Sequence, residues 1–409
     1  MDKNPISHNP ICAVTKSNTG STRAQRPAAI FALTRAALLA GIASVALGGA
    51  APLQSGHFSL GYTYTHIRAN CPNVQGDGTE PTNDELAGGG RARRKIPSIN
   101  SVDNVLLHYD QPSIRMQVDA TLKAMRASAD ALRLHFWFGG RDLDASSGPE
   151  THLGLVSNEA NVSQIVLTNV AEIVKKATSL GYSKLYIVFG DQGASSPKCG
   201  KRNQSGWNNQ TDCFNTGNLA GDWNVRKQII DAARHASSSG AAIYFDLSGE
   251  SCPGGSPLPE MRDHLQQYTT YMVDQYAKTY GDDHSFVSCH GNSLNRTTRD
   301  LDSIVAIYRS AGIRPHMLDM HMYTPDEQSA EGILEHAEAD AQSIGSRFSI
   351  METAYDSVPV FTAVSALRKR GAIPLLETVS IWPKTLNTPC AQSFQWPRDL
   401  ASVTRTLNQ

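Results

Sequence analysis

Short runs of β-branched, aliphatic and aromatic residues recur along the chain, and stretches with helical spacing of apolar positions separate them. The runs fall at 58–66, 131–138, 184–190, 241–248, 285–290, 316–323, 348–355 and 374–382. Each has strand length and is bounded by turn-forming residues. Between them, apolar residues three and four apart predict helices over 112–129, 163–180, 223–238, 259–280, 298–311, 329–344 and 358–370, with a last helix over 398–407. Eight strands alternating with helices predict an α/β protein of the (β/α)8 or TIM-barrel type. An open doubly wound sheet shares the alternation but calls for a glycine-rich phosphate loop after its first strand. Here the first run continues as Tyr64-Thr65-His66-Ile67-Arg68, which is no such loop. Two polar stretches, 71–95 after strand one and 191–219 after strand three, are expected as long loops over the barrel mouth.

The first residues read differently. Residues 1–35 carry basic side chains and a single acid, Asp2, and the apolar run Ala36–Leu47 follows, then Gly48-Gly49-Ala50-Ala51. A basic region, a short apolar core and a small-residue site make a secretory signal. The apolar run is short for a membrane span, which needs about 20 residues. Residues 1–51 are therefore expected to be an export segment, cleaved or kept as an anchor, and 52–409 a single barrel domain. The expected location is secreted or periplasmic, off the membrane once the signal is cleaved.

Composition narrows the class. The chain of 409 residues is 40% hydrophobic and 18% charged, which excludes wholesale disorder. Its 37 basic and 38 acidic residues nearly cancel, and no basic run exceeds Arg91–Lys95. No nucleic-acid partner is expected from so small an electrostatic footprint. Cys12 lies in the export segment; Cys71, Cys199, Cys213, Cys252, Cys289 and Cys390 remain, an even number that suits disulfides in an exported chain. Their spacing matches no zinc finger.

Barrel active sites form where the strands end. Strand four runs into Ser248-Gly249-Glu250, and strand seven carries Glu352 between apolar neighbours. A carboxylate on a core strand must be paired or functional. Two carboxylates facing one cavity suit glycosidic cleavage, one protonating the leaving oxygen and the other attacking the sugar carbon. On strand two, period-two alternation places Arg133, His135 and Trp137 on one face, inward, where the arginine can hold a carboxylate ionised. Strand six places Asp319, His321 and Tyr323 together, with the tyrosine hydroxyl in reach of Glu352. Trp382 ends strand eight as an aromatic platform for a sugar. The structural alternatives are a solvated loop acid at Glu250, ion pairs at Arg133 and Glu352, a satisfied core histidine at His321, and core packing at Trp382.

With these residues in view, the chain resembles the clan A glycoside hydrolases, barrels with catalytic glutamates at the ends of strands four and seven. The resemblance covers residues 57–400 as a pattern of strand ends. It implies Glu352 as nucleophile and Glu250 as acid/base of a retaining mechanism. Arg133 and Tyr323 would position the nucleophile, His321 would contact substrate or support the pair, and Trp137 and Trp382 would meet the sugar. The clan has Asn directly before the acid/base; here that position is Gly249, and Asn292 after strand five is the candidate replacement. Asp246 and Asp191 are reserve acids. The implied partner is a polysaccharide, with a bacterial exopolysaccharide among the candidates. No metal or organic cofactor is required, and a monomer suffices.

On a closed barrel, cysteines after neighbouring strands pair as 71–390 and 252–289, and 199–213 share one loop. Two other readings stay open: a non-catalytic carbohydrate-binding barrel, favoured by Gly249, and a hydrolase using His135, His290 and His321 around zinc.

Overall fold

A computed structural model describes residues 59–64, 109–138, 162–191, 216–237, 240–254, 259–354, 356–382, 403 and 405–407. Nine strands form one parallel sheet: β1 (Ser59–Tyr64), β2 (Ala131–Phe138), β3 (Lys184–Asp191), β4 (Ala242–Asp246), β5 (Ser285–Phe286), β6 (Ser288–Gly291), β7 (Met317–Met322), β8 (Arg347–Ala354) and β9 (Leu376–Trp382). Their order is β5-β4-β3-β2-β1-β9-β8-β7-β6. The two ends of that order are consecutive pieces of one strand, separated only by Val287. Ser285–Phe286 pairs with β4, Ser288–Gly291 pairs with β7, and the His316 N–H donates to the Ser285 carbonyl at 2.7 Å. Eight strand positions therefore close into a (β/α)8 barrel. The expected fifth strand is the split one, because it changes partner midway.

Helices α1 (Pro112–Arg126), α2 (Gln164–Ser179), α3 (Leu219–Ala236), α4 (Pro259–Thr279), α5 (Leu294–Ala311), α6 (Glu327–Ile344) and α7 (Val358–Lys369) join them. The expected helices differ from these by a few residues at their ends. The largest differences are at α3, which a turn at Thr216–Asn218 starts earlier, and at α5, which begins at Leu294. Of the expected last helix, residues 403 and 405–407 are helical. Helix α6 shows how local chemistry sets a boundary. The Asp326 carboxylate accepts the Ser329 N–H at 2.7 Å, and Gly345 ends the helix at φ 66°.

The strand period decides what the barrel holds. Leu132, Leu134, Leu185, Ile187, Ile243, Phe245, Leu318, Met320, Val379 and Ile381 belong to the core shared with the helices. A separate cluster of Ala131, Tyr186, Tyr244, Phe286, Met317 and Met351 fills the lumen. Beside this lumen cluster, the buried Glu377 accepts bonds from Lys184 at 3.0 Å, His316 at 3.0 Å and the Tyr186 hydroxyl at 3.1 Å. Burial alone would raise the Glu377 pKa. The bonds from His316 and Lys184 outweigh burial and hold it at about 2.

Cys252 and Cys289 form a disulfide, as expected. Cys71, Cys199, Cys213 and Cys390 lie outside the described residues, as do the long stretch 71–95 and residues 192–215 of the second one. Among the described residues no helix is long and apolar enough to cross a membrane.

The Glu377 cluster gives the first prediction. Glu377→Gln leaves Lys184 and His316 without their carboxylate and lowers stability at neutral pH by about 3 kcal/mol. In the wild type this contribution is complete above the ordinary value of 4.5 and fades as pH falls toward about 2. Urea unfolding of both proteins at neutral and acid pH checks it; a difference that persists undiminished in acid contradicts it.

Candidate active site

The site is built by strand register. His290 pairs with His321, and His321 pairs with Glu352, so β6, β7 and β8 present the three side chains at one level. Simple alternation along β8 would place Glu352 on the face opposite Ser349 and Met351. An irregularity corrects this: Met320 pairs with Ile350, yet His321 pairs with Glu352, so β8 carries one extra residue. Such a bulge re-aims a side chain, and here it turns Glu352 toward the lumen. Gly291 makes the close approach of β6 to β7 possible, since a Cβ there would stand 2.8 Å from the His321 carbonyl oxygen.

Arg133 reaches Glu352 and His321 from β2. Its side chain is fully buried. Nη1 donates to Glu352 Oε2 at 2.8 Å, and Nη2 lies 2.9 Å from His321 Nε2. A guanidinium only donates, so His321 Nε2 accepts and the proton of this neutral ring sits on Nδ1. Nδ1 in turn donates to Glu250 Oε1 at 2.7 Å. Burial lowers the His321 pKa, Glu352 raises it, Arg133 lowers it and Glu250 raises it; the net direction is upward. His321 can take a second proton only by giving up the Arg133 contact. The Tyr323 hydroxyl donates to Glu352 Oε1 at 2.5 Å. Burial, then the Glu352 charge, pushes its pKa up, so it stays a donor.

Glu250 lies in the turn after β4, with φ 56°, the one non-glycine residue at positive φ among those described. That conformation costs about 1 kcal/mol for an ordinary residue. Its Oε2 is 3.0 Å from His290 Nε2. Burial raises the Glu250 pKa, but the bonds from His290 and His321 outweigh it and hold the carboxyl well below the usual range. Oxygens of Glu250 and Glu352 and a nitrogen of His321 all lie within 4.8 Å of one another. These atoms are occupied by hydrogen bonds to each other, to Arg133 and to Tyr323. Both His290 and His321 aim at Glu250, so they do not converge on an open metal position. The side chain of His135 is outside the described residues.

Structure thus brings together Glu250, Glu352, Arg133, His321 and Tyr323. Asn292 is exposed in the turn into α5. Trp137 and Trp382 stand on β2 and β9, but their side chains, like that of Asp191, lie outside the described residues. His290 was not among the expected partners of Glu250; its place on strand five beside His321 was the available signal. Asp246 is no reserve acid. It is fully buried, with Oδ1 accepting the Ser248 and Ser288 N–H groups at 3.2 Å each and Oδ2 accepting the Ser288 hydroxyl at 2.5 Å.

Asp319 lies beneath His321. Its Oδ1 accepts the Met351 N–H at 2.9 Å, while buried Oδ2 has no hydrogen-bond partner among the described residues. Burial, opposed by His321 and Arg133, pushes its pKa up to about 7.

No known protein-family profile matches the chain, and no curated protein sequence does. Solved structures similar to it include a psychrophilic glycoside hydrolase family 10 endo-β-1,4-xylanase, at 8% identity and TM-score 0.45, covering 80% of this chain and 86% of that one. Another is a GH5-4 broad specificity endoglucanase from an uncultured bacterium, at 12% identity and TM-score 0.45, covering 72% and 84%. A hyperthermophilic β-glucosidase mutant is similar at 10% identity and TM-score 0.48, covering 85% and 99%. At this distance any functional reading has to come from the chain's own side chains.

Asp319 supplies the prediction here. Between 3.8 and about 7 the folded protein holds a proton on Asp319 that the unfolded chain releases. The stability this gives is present in acid and lost as pH rises through that window. Asp319→Asn removes the ionisation, so it should raise the melting temperature at about pH 8 and give no gain at about pH 4. An equal change at both pH values contradicts the assignment.

Proposed function

We propose that the protein is an exported retaining glycoside hydrolase that cleaves O-glycosidic bonds of a polysaccharide. The observation that carries this is the pair Glu250 and Glu352, one oxygen of each lying within 4.8 Å of the other. Retaining glycosidases place their two carboxyl groups about 5–5.5 Å apart, and inverting ones about 6.5–9.5 Å.

In this reading Glu352 is the nucleophile. Arg133 and Tyr323 each engage one of its oxygens, which directs it. Its oxygen attacks the anomeric carbon while Glu250 gives a proton to the departing glycosidic oxygen, and a glycosyl ester on Glu352 forms. Glu250, now a base, takes a proton from water; the water oxygen attacks the anomeric carbon, the sugar leaves and Glu352 is a carboxylate again. His321 links the two carboxyl groups through Glu250 Oε1 and the shared Arg133. Trp137, Trp382 and Asn292 are proposed to meet the sugar. Two carboxyls suffice for this cycle without metal or cofactor. Export rests on residues 1–51 and agrees with the Cys252–Cys289 disulfide.

One observation favours a second reading. Glu250 is held in its charged form by two histidines, whereas a general acid must carry a proton. A barrel that binds carbohydrate without cleaving it has no need of that proton.

Three outcomes test the choice. Reducing-sugar release on a polysaccharide panel should occur with wild type, and Glu352→Gln should lower it about a thousandfold or more in a protein that stays folded but melts lower, because buried Arg133 loses its counter-charge. Because Glu250 must be protonated to act and its pKa is depressed, activity should rise toward acid. His290→Ala removes one bond to the carboxylate, raises the Glu250 pKa, and should move the alkaline limb of kcat/KM to higher pH. Saturable binding with no release from about pH 4 to about pH 8 selects the binding protein instead.

A further inference from the structure

The turn that carries Glu250 is held by groups the reaction itself does not use. Ser288 is buried on β6. Its hydroxyl has one proton, and that proton goes to Asp246 Oδ2 at 2.5 Å. The remaining lone pairs face the turn, and Ser288 Oγ accepts the Glu250 N–H at 3.0 Å. Asp246 cannot rotate away, since its other oxygen receives the Ser248 and Ser288 N–H groups. On either side of this contact the backbone is tied again. The Gly249 N–H donates to the Phe189 carbonyl at 3.0 Å, and Cys252, two residues after Glu250, is bonded to Cys289, the residue after Ser288.

Glu250 needs such a hold. Its left-handed backbone is one that a side-chain-bearing residue leaves unless its surroundings over-determine it. Relaxation of that φ would swing the carboxylate away from His290 and His321. Ser288 is the contact that meets the backbone N–H of the strained residue.

We infer that Ser288 is a positioning residue for Glu250: buried Asp246 orients the Ser288 hydroxyl, and the hydroxyl fixes the Glu250 N–H and with it the place of the carboxylate. The inference deepens the glycosidase reading and rests on it for the use made of Glu250. Misplacing a general acid slows cleavage most where the leaving group needs a proton. A loss of fold slows every substrate alike.

The test is kcat/KM over a series of glycosides of one sugar with leaving groups of increasing acidity, for wild type, Ser288→Ala and Ser288→Thr. Ser288→Ala should lose about tenfold or more on unactivated alkyl glycosides and less than about twofold on dinitrophenyl glycosides. Ser288→Thr, which keeps the hydroxyl, should recover most of the loss. Equal losses across the series, or none, overturn the inference. Asp246→Asn serves where Ser288→Ala does not fold, because it replaces the acceptor of the hydroxyl proton by an amide; the same leaving-group dependence is expected. Amide hydrogen exchange of Glu250 gives a readout independent of turnover. Its protection should be lost selectively in Ser288→Ala, and unchanged protection overturns the inference. Should the wild type cleave no member of the series, the glycosidase reading fails, and the exchange result alone decides whether Ser288 holds the turn.

Discussion

A guanidinium with no exposed surface stands at the mouth of the barrel, and its charge dictates what surrounds it. Burying an unpaired cation costs several kcal/mol or more. Arg133 is compensated by a carboxylate on one nitrogen and an imidazole on another. Those two bonds have consequences beyond charge balance. The first fixes Glu352 by its Oε2, leaving Oε1 to Tyr323. The second forces His321 to accept on Nε2, so its only proton points to Glu250. One arginine on β2 thereby orients groups on β8 and β7, strands that are not its neighbours in the sheet.

The two carboxyl groups are held by different means. Glu352 sits on a strand, and a one-residue irregularity in β8 gives it its direction. Glu250 sits in a turn, in a backbone conformation that neighbouring bonds must maintain. The strand side is stiff because it belongs to a closed sheet. The turn side depends on Asp246, Ser288 and a disulfide. In the proposed reaction the two have different needs: Glu352 as nucleophile requires a fixed position, and Glu250 as acid/base must exchange a proton within each cycle.

Much of this was legible in the sequence. The strand runs and helical spacings predicted the barrel, and alternation along strand two correctly put Arg133 inward. The same reasoning put Asp319, His321 and Tyr323 together and brought Cys252 to Cys289 on adjacent strands. What alternation cannot show is a break in its own period. Counting by twos along strand seven gives no hint that an extra residue at Met351 turns Glu352 inward. Nor does a sequence separate Asp246 from a mouth acid. The deciding fact is a set of three bonds, one from Ser248 two residues on and two from Ser288, on a strand some forty residues further on. His290 appeared only as a possible zinc ligand, because its closeness to Glu250 depends on the turn after β4.

The most direct measurement is the anomeric configuration of the sugar first released, followed by proton NMR in the opening minutes of hydrolysis of whichever polysaccharide the protein cleaves. One oxygen of Glu250 and one of Glu352 lie within 4.8 Å of each other, which agrees with the shorter carboxyl spacing of retaining glycosidases and not with the wider one that admits a water. The account predicts a product with the configuration of the substrate, which then mutarotates. A first product of opposite configuration would contradict it.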